Sequence, residues 1–172
     1  MKILRKKFFE RNALKVAPNL LGCFLVRKIG NKIIKEKIVE VEAYDGSNDK
    51  ASHAHKGQTK RNEVMFGEAG RFYVYLVYGM YEILNIVTDK NGYPSAVLIR
   101  GTENISGPGK LTKNLKIDQK LNAKTAIPKN GLWFEQSESP RSLDKKIKKA
   151  ARIGVSYAGP IWSKKKYRFL LV

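Results

Sequence analysis

Cysteine is nearly absent from this 172-residue chain: Cys23 stands alone. No internal disulfide can staple the fold, and a reducing compartment, most simply the cytoplasm, is the expected address. Histidine is almost as scarce, with only His53 and His55. Without a second cysteine, an HExxH pattern or a matched acidic ligand nearby, their spacing predicts no zinc site, and neither a metal nor another cofactor is expected. No apolar run reaches the length of a membrane span, and the basic start "MKILRKKFFERN" leads into no signal-like apolar stretch, so a soluble chain is expected. Repeats and low-complexity linkers are also missing. Acidic residues are few: 15 Asp and Glu face 34 Lys and Arg, for a formal net charge of +19. That excess creates a field that attracts polyanions. The basic residues do not line one long amphipathic helix, which weighs against a membrane surface and leaves nucleic acid as the leading partner.

The residues that are present suit a globular fold, since 42% are hydrophobic and the length fits one domain. Ala13, Leu14, Val16, Leu20 and Leu21 recur at helix-like intervals, with Pro18 expected to end or restart the turn. "CFLVRKIGNKIIKEKIVEVEAY" reads as two strands joined at "IGNK", a hairpin. "GRFYVYLVYG", "MYEILNIVTD" and "SAVLIRGTE" are further strand candidates, so the first hundred residues are mainly sheet. "GPGKLTKNLKI" and "SLDKKIKKAARIG" then read as helices with basic faces, the second capped by Ser142 and stopped by Gly154. "GLWFEQ" and "YRFLLV" are short strands. The fold class is α+β in a single domain spanning residues 1–172.

Three stretches carry candidate chemistry. In "IVEVEAYDG", strand alternation sends Val39, Val41 and Ala43 to one face and Glu40, Glu42 and Tyr44 to the other. Two carboxylates beside an aromatic ring could orient and deprotonate a water, although an ordinary solvated face has the same pattern. In "SHAHKGQTKRN", a histidine could stack on a base or hydrogen-bond to it, and Lys56, Lys60 and Arg61 could meet phosphates. Lys110 and Arg152, within the two basic helix candidates, are further candidate phosphate contacts. "YVYLVYGMY" packs four tyrosines into nine residues. A ring facing a pocket can stack on a base and one at a hairpin tip can wedge into a duplex, while core packing would use the same residues.

Taken together, "VEVEAYDG", the following histidine, "RN", "MFGEAGRFYVYLVYGMYEILNIVT", "AVLIRG", "GPGKL" and "ARIGV" occur in the order seen in the methylpurine DNA glycosylases of the mammalian type, also called alkyladenine or 3-methyladenine DNA glycosylases. The resemblance runs from about Asn19 to Leu171, and the collinear set is far more specific than any one motif. It implies a single compact domain around a curved, largely antiparallel, open-barrel-like sheet with surrounding helices. It further implies a monofunctional base-excision enzyme that flips alkylated or deaminated purines from duplex DNA and hydrolyses the N-glycosidic bond, leaving an abasic site. Glu42 is similar to the family's general base, with Glu40 secondary. Tyr44, His53 and Tyr75 match the residues that sandwich the flipped base, and Tyr78 matches the ring that fills the hole it leaves. Asn85 matches the side chain that clashes with the guanine 2-amino group. Arg100 and the backbone at Ile153 match groups near the flipped nucleotide and the attacking water.

None of the matched positions holds a nucleophilic lysine, which favours direct hydrolysis over Schiff-base chemistry. The implied partner is double-stranded DNA, bound by a monomer with affinity that falls steeply with salt; a bacterial protein of this kind would associate with the nucleoid. Two departures stand out: Lys60 occupies a place where the family often has proline, and the chain ends at Val172 where members commonly continue. A non-catalytic nucleic-acid-binding module is the alternative, and a metal-dependent nuclease a weaker third.

Overall fold

A computed structural model describes residues 2–136 and 147–172. The chain opens with a single helical turn, α1 (Lys6–Phe9), which buries Phe9, and then enters α2 (Ala13–Leu20). Asn12 caps α2, its side-chain oxygen accepting from Leu14 N–H at 2.9 Å while its Nδ2 donates to Asp45 Oδ1 at 2.8 Å. The cap thus ties the helix start to the end of a strand. Pro18 lies inside α2, not at its end, and the helix stops two residues later.

The hairpin at Gly30–Asn31 forms as the turn chemistry predicts, joining β1 (Phe24–Ile29) to the long β2 (Lys32–Asp45). Three further antiparallel strands follow: β3 (Phe72–Val77), β4 (Tyr81–Val87) and β5 (Ser95–Thr102). After α3 (Pro108–Asn114) come β6 (Leu132–Glu135), β7 (Ile147–Ala150), α4 (Gly159–Trp162) and β8 (Arg168–Leu171). The sheet runs β3-β4-β5-β2-β1-β6, with β8 pairing to both β2 and β7. It curls strongly into an antiparallel half-barrel, giving one compact α+β fold. The length of β2 makes this possible: residues 32–37 pair with β1, whereas 38–45 pair with β5 and 40–42 also with β8.

The helix expected over residues 142–154 is corrected. Its Ser142 cap lies outside the described residues, and Ile147–Ala150 is a strand whose four residues pair antiparallel with Leu171 to Arg168. Local periodicity there suited either state, and the unpaired edge of β8 decided it. Gly154 keeps the positive φ expected of a stop, but it turns a connecting segment and ends no helix.

The main core gathers Val41 and Ala43 of β2 into one buried cluster with Leu20, Phe72, Leu84, Ile99 and Phe134. The register between β2 and β5 shifts at Glu40, opposite Gly101. Such a bulge bends the strand and re-aims the side chains that follow, here just ahead of Glu42. At the start of α3, Gly109 is needed for contact: a Cβ there would lie 2.9 Å from the Tyr81 ring. That glycine lets the helix lie against the turn end of the β3–β4 hairpin.

Candidate active site

The face of β2 expected to be polar is covered, not solvated. Glu42 is 0% exposed, beneath the segment that follows β7. Its Oε1 accepts from the Ile153 backbone N–H at 2.8 Å and lies 3.5 Å from Arg100 Nη1, and its Oε2 accepts from the Tyr44 hydroxyl at 2.9 Å. Burial pushes the carboxyl above the usual glutamate range; Arg100, the Ile153 N–H, Tyr44 and Arg152 oppose that shift without cancelling it. Each carboxylate oxygen still has acceptor capacity, so one more donor, such as a water, can be held. Burial together with the Glu42 charge pushes the Tyr44 hydroxyl well up, keeping it a donor.

Glu42 lies on the wall of a cavity of about 520 Å³. Its aromatic lining comes from different elements: Tyr44 from β2, His53 from the loop after β2, and Tyr73 and Tyr75 from β3. The His53 ring sits edge-on to Tyr75, centroids 4.6 Å apart, and its Nδ1 shares a 3.0 Å hydrogen bond with the Tyr73 hydroxyl. Burial, aided by the Arg61 charge, pulls the imidazole down, so it is neutral at physiological pH. Burial raises Tyr73 to about 12 and Tyr75 higher still. The aromatic walls are therefore flat and uncharged, and charge enters the lining through Glu42, Arg61 and Arg100. Asn85, buried in register with Tyr73, donates its Nδ2 to the Tyr73 carbonyl at 3.1 Å and also lines the cavity.

At the rim, the β3–β4 turn holds Tyr78 and Gly79 both at positive φ, and Met80 N–H closes the turn on the Val77 carbonyl at 3.2 Å. Positive φ is strained for a tyrosine. The ring is nevertheless 88% exposed and gains no packing in return. Arg61 also borders the cavity: its Nη2 donates to the Leu76 carbonyl at 2.8 Å and its guanidinium lies 5.5 Å over the Tyr75 ring.

Arg152 departs from expectation. Instead of facing outward for phosphates it is 5% exposed. Its Nη1 and Nη2 both donate to Asp49, the latter at 2.8 Å, and Nη1 also donates to the Ala43 carbonyl at 2.9 Å. The guanidinium stacks between Tyr44 and Tyr167 at 4.8 and 5.1 Å. Burial disfavours its charge, but Asp49, with Tyr44 and Glu42, outweighs that and raises the group. The pair pins the segment carrying Ile153 over Glu42. Lys60 and Lys110 are exposed and outside the cavity lining, and Ile153 contributes its N–H while its side chain is half exposed. His55 does not join His53; its Nδ1 bonds the Ser47 carbonyl at 2.8 Å. Among the described residues no three His, Cys, Asp or Glu side chains converge.

Sequence reasoning missed Asp49, Asn62 and Tyr157. Asn62 is buried within "RN" and staples an irregular loop, its Nδ2 donating to the carbonyls of His53 and Gly57 at 2.9 Å and its Oδ1 accepting from Thr59 N–H at 2.6 Å. Its place in "RN", one of the motifs that carry the family resemblance, was the available signal. Tyr157 lines the cavity, and its hydroxyl donates to the Ala51 carbonyl at 2.7 Å. Nothing in its local sequence points there.

The chain matches the family model described as "Methylpurine-DNA glycosylase (MPG)" over residues 7–107 and 101–172. A protein of Methanocella arvoryzae named "Putative 3-methyladenine DNA glycosylase" is 45% identical, covering 92% of this chain and 88% of the relative. One of the same name from Legionella pneumophila (strain Corby) is also 45% identical, over 99% of this chain and 95% of the relative. A third, from Anaeromyxobacter sp. (strain Fw109-5), is 40% identical over 98% and 88%.

Proposed function

Because the chain belongs to the methylpurine-DNA glycosylase family, we propose that it is a monofunctional base-excision enzyme that turns a damaged purine out of duplex DNA into the aromatic cavity and hydrolyses its N-glycosidic bond. The observation that carries this reading is the Glu42 carboxylate, buried at the cavity wall with the Ile153 N–H, the Tyr44 hydroxyl and Arg100 around it. A carboxylate raised by burial is a stronger base at neutral pH than a solvated one. It takes a proton from the attacking water, and its charge stabilises the positive character left on the sugar as the base departs.

The rest of the cavity suits a purine weakened by alkylation. Tyr44, His53 and Tyr75 offer flat faces to a base, and a cationic methylated purine is attracted to π-faces without meeting a charged imidazole. Asn85 stands where a guanine 2-amino group would crowd it. Flipping costs about a few kcal/mol, least at damaged or poorly paired sites, and the exposed Tyr78 ring is the wedge that fills the vacated stack. Arg100 borders the reacting nucleotide; Arg61 at the cavity border and the exposed Lys60 and Lys110 supply phosphate contacts.

The test is single-turnover release of base from duplexes carrying hypoxanthine, ethenoadenine or an alkylated purine, in chelator, for the wild type and Glu42→Gln. Release by the wild type, lost in the variant while binding to damaged DNA survives, is the expected result. Tight binding with no release from any duplex would instead identify a non-catalytic nucleic-acid-binding module.

A further inference from the structure

Glu40 lies on the same strand as Glu42, two residues earlier, yet it does not border the cavity. Its Oε1 accepts from two guanidiniums, Arg100 Nε at 3.2 Å and Arg168 Nη1 at 3.0 Å. Both lead to Glu42. Arg100 Nη1 lies 3.5 Å from Glu42 Oε1. Arg168 Nε donates to the Ala151 carbonyl at 2.8 Å, two residues before Ile153, whose N–H donates to that same Oε1. One carboxylate therefore anchors both groups that hold this oxygen of the buried acid.

Resting on the reading of Glu42 as the base, we propose that Glu40 is a positioning residue for the reaction. It keeps Arg100 short of a close ion pair with Glu42 and, through Arg168, keeps the Ile153 N–H on Glu42 Oε1, so that the carboxylate stays open to a water. The charges around Glu42 require such a counterweight. Arg100 faces it from β5, Arg168 across the β8 pairing, Arg152 and Tyr157 from the segment after β7, Tyr44 from its own strand and Tyr75 from β3. The tyrosines are neutral, and Asp49 answers Arg152. Among the described residues, Glu40 is the anion besides Glu42 that pairs with Arg100, and the one that pairs with Arg168. Without it, the nearest uncompensated anion for Arg100 is Glu42, and a closer pair makes that carboxylate a weaker base.

The experiment follows single-turnover release of 3-methyladenine from duplex DNA treated with dimethyl sulfate, across pH. This cationic lesion needs no protonation to leave, so the acid limb of the profile reports the base. Glu40→Gln is expected to slow release roughly 10- to 100-fold at neutral pH and to move the acid limb down by about one pH unit. Arg100→Ala should move the limb upward, and Glu40→Asp, which keeps the charge, should return it to the wild-type position. A Glu40→Gln protein that is slower with its limb unmoved has lost only structure, and the proposal falls. Should that variant not fold, Arg168→Gln carries the test: the limb must rise, and an unmoved limb overturns the idea. Glu42→Gln separates the two levels. If it still releases base, the reading of Glu42 fails; if it is inactive while Glu40→Gln matches the wild type in rate and limb, only Glu40's role fails.

Discussion

Replacing Asp49 with alanine is expected to destabilise the fold far more than any exposed ion pair could. Both members of the Asp49–Arg152 pair have fully buried side chains. Asp49 also accepts from the backbone N–H groups of Asp45 and Ala51 at 3.1 and 3.0 Å. Truncation would leave the guanidinium with only the Ala43 carbonyl, while its Nε already lacks a partner among the described residues. Stranding one charge of a buried pair costs about 3–5 kcal/mol, a large share of the roughly 5–15 kcal/mol by which a domain is stable. With a urea slope of about 2 kcal/mol/M, the unfolding midpoint should fall by roughly 1.5–2.5 M. Replacing both partners with apolar residues, Asp49→Leu with Arg152→Met, should recover part of the loss, because no charge is then stranded although the Asp45 and Ala51 N–H groups lose their acceptor. A loss below about 1 kcal/mol in the single variant, the size found for solvated pairs, would refute the reasoning.

Three other outcomes follow from the same geometry. Burial lifts the Glu42 carboxyl in the fold above its unfolded value, so its contribution to stability is complete below the ordinary carboxylate range and is lost as pH rises through the lifted value. Glu42→Gln should therefore be inactive yet more stable than the wild type at neutral pH, and thermal melts at acid pH should show the gain vanish. Tyr78→Ala should weaken binding to a damaged duplex by about 1–3 kcal/mol, the worth of one stacked ring, while Tyr78→Gly, which relieves the positive φ, should leave the melting temperature unchanged or raise it. Asn62→Ala removes three hydrogen bonds from the loop that carries His53; a cost of about 1–3 kcal/mol in denaturant titration should accompany a loss of base release, and unchanged release would show that the loop does not depend on it.

Much of this protein is legible in its sequence. Strands β1 to β5 could be read because alternation and β-branched runs, with the Gly30–Asn31 turn, are local signals that the tertiary fold did not override. The charge excess and the collinear motifs pointed to DNA and to the family. What only the tertiary structure decided is where charge is buried. Alternation put Glu40 and Glu42 on one face, but no local pattern says that β8 and the segment after β7, more than a hundred residues later, close over that face. The same closure made β7 a strand where local periodicity suited either state and turned Arg152 inward onto Asp49. Chain-local periodicity carries propensity and facing. Burial, and with it the shifted Glu42 carboxyl, arises from contacts between residues far apart in the chain, which a single sequence does not encode locally.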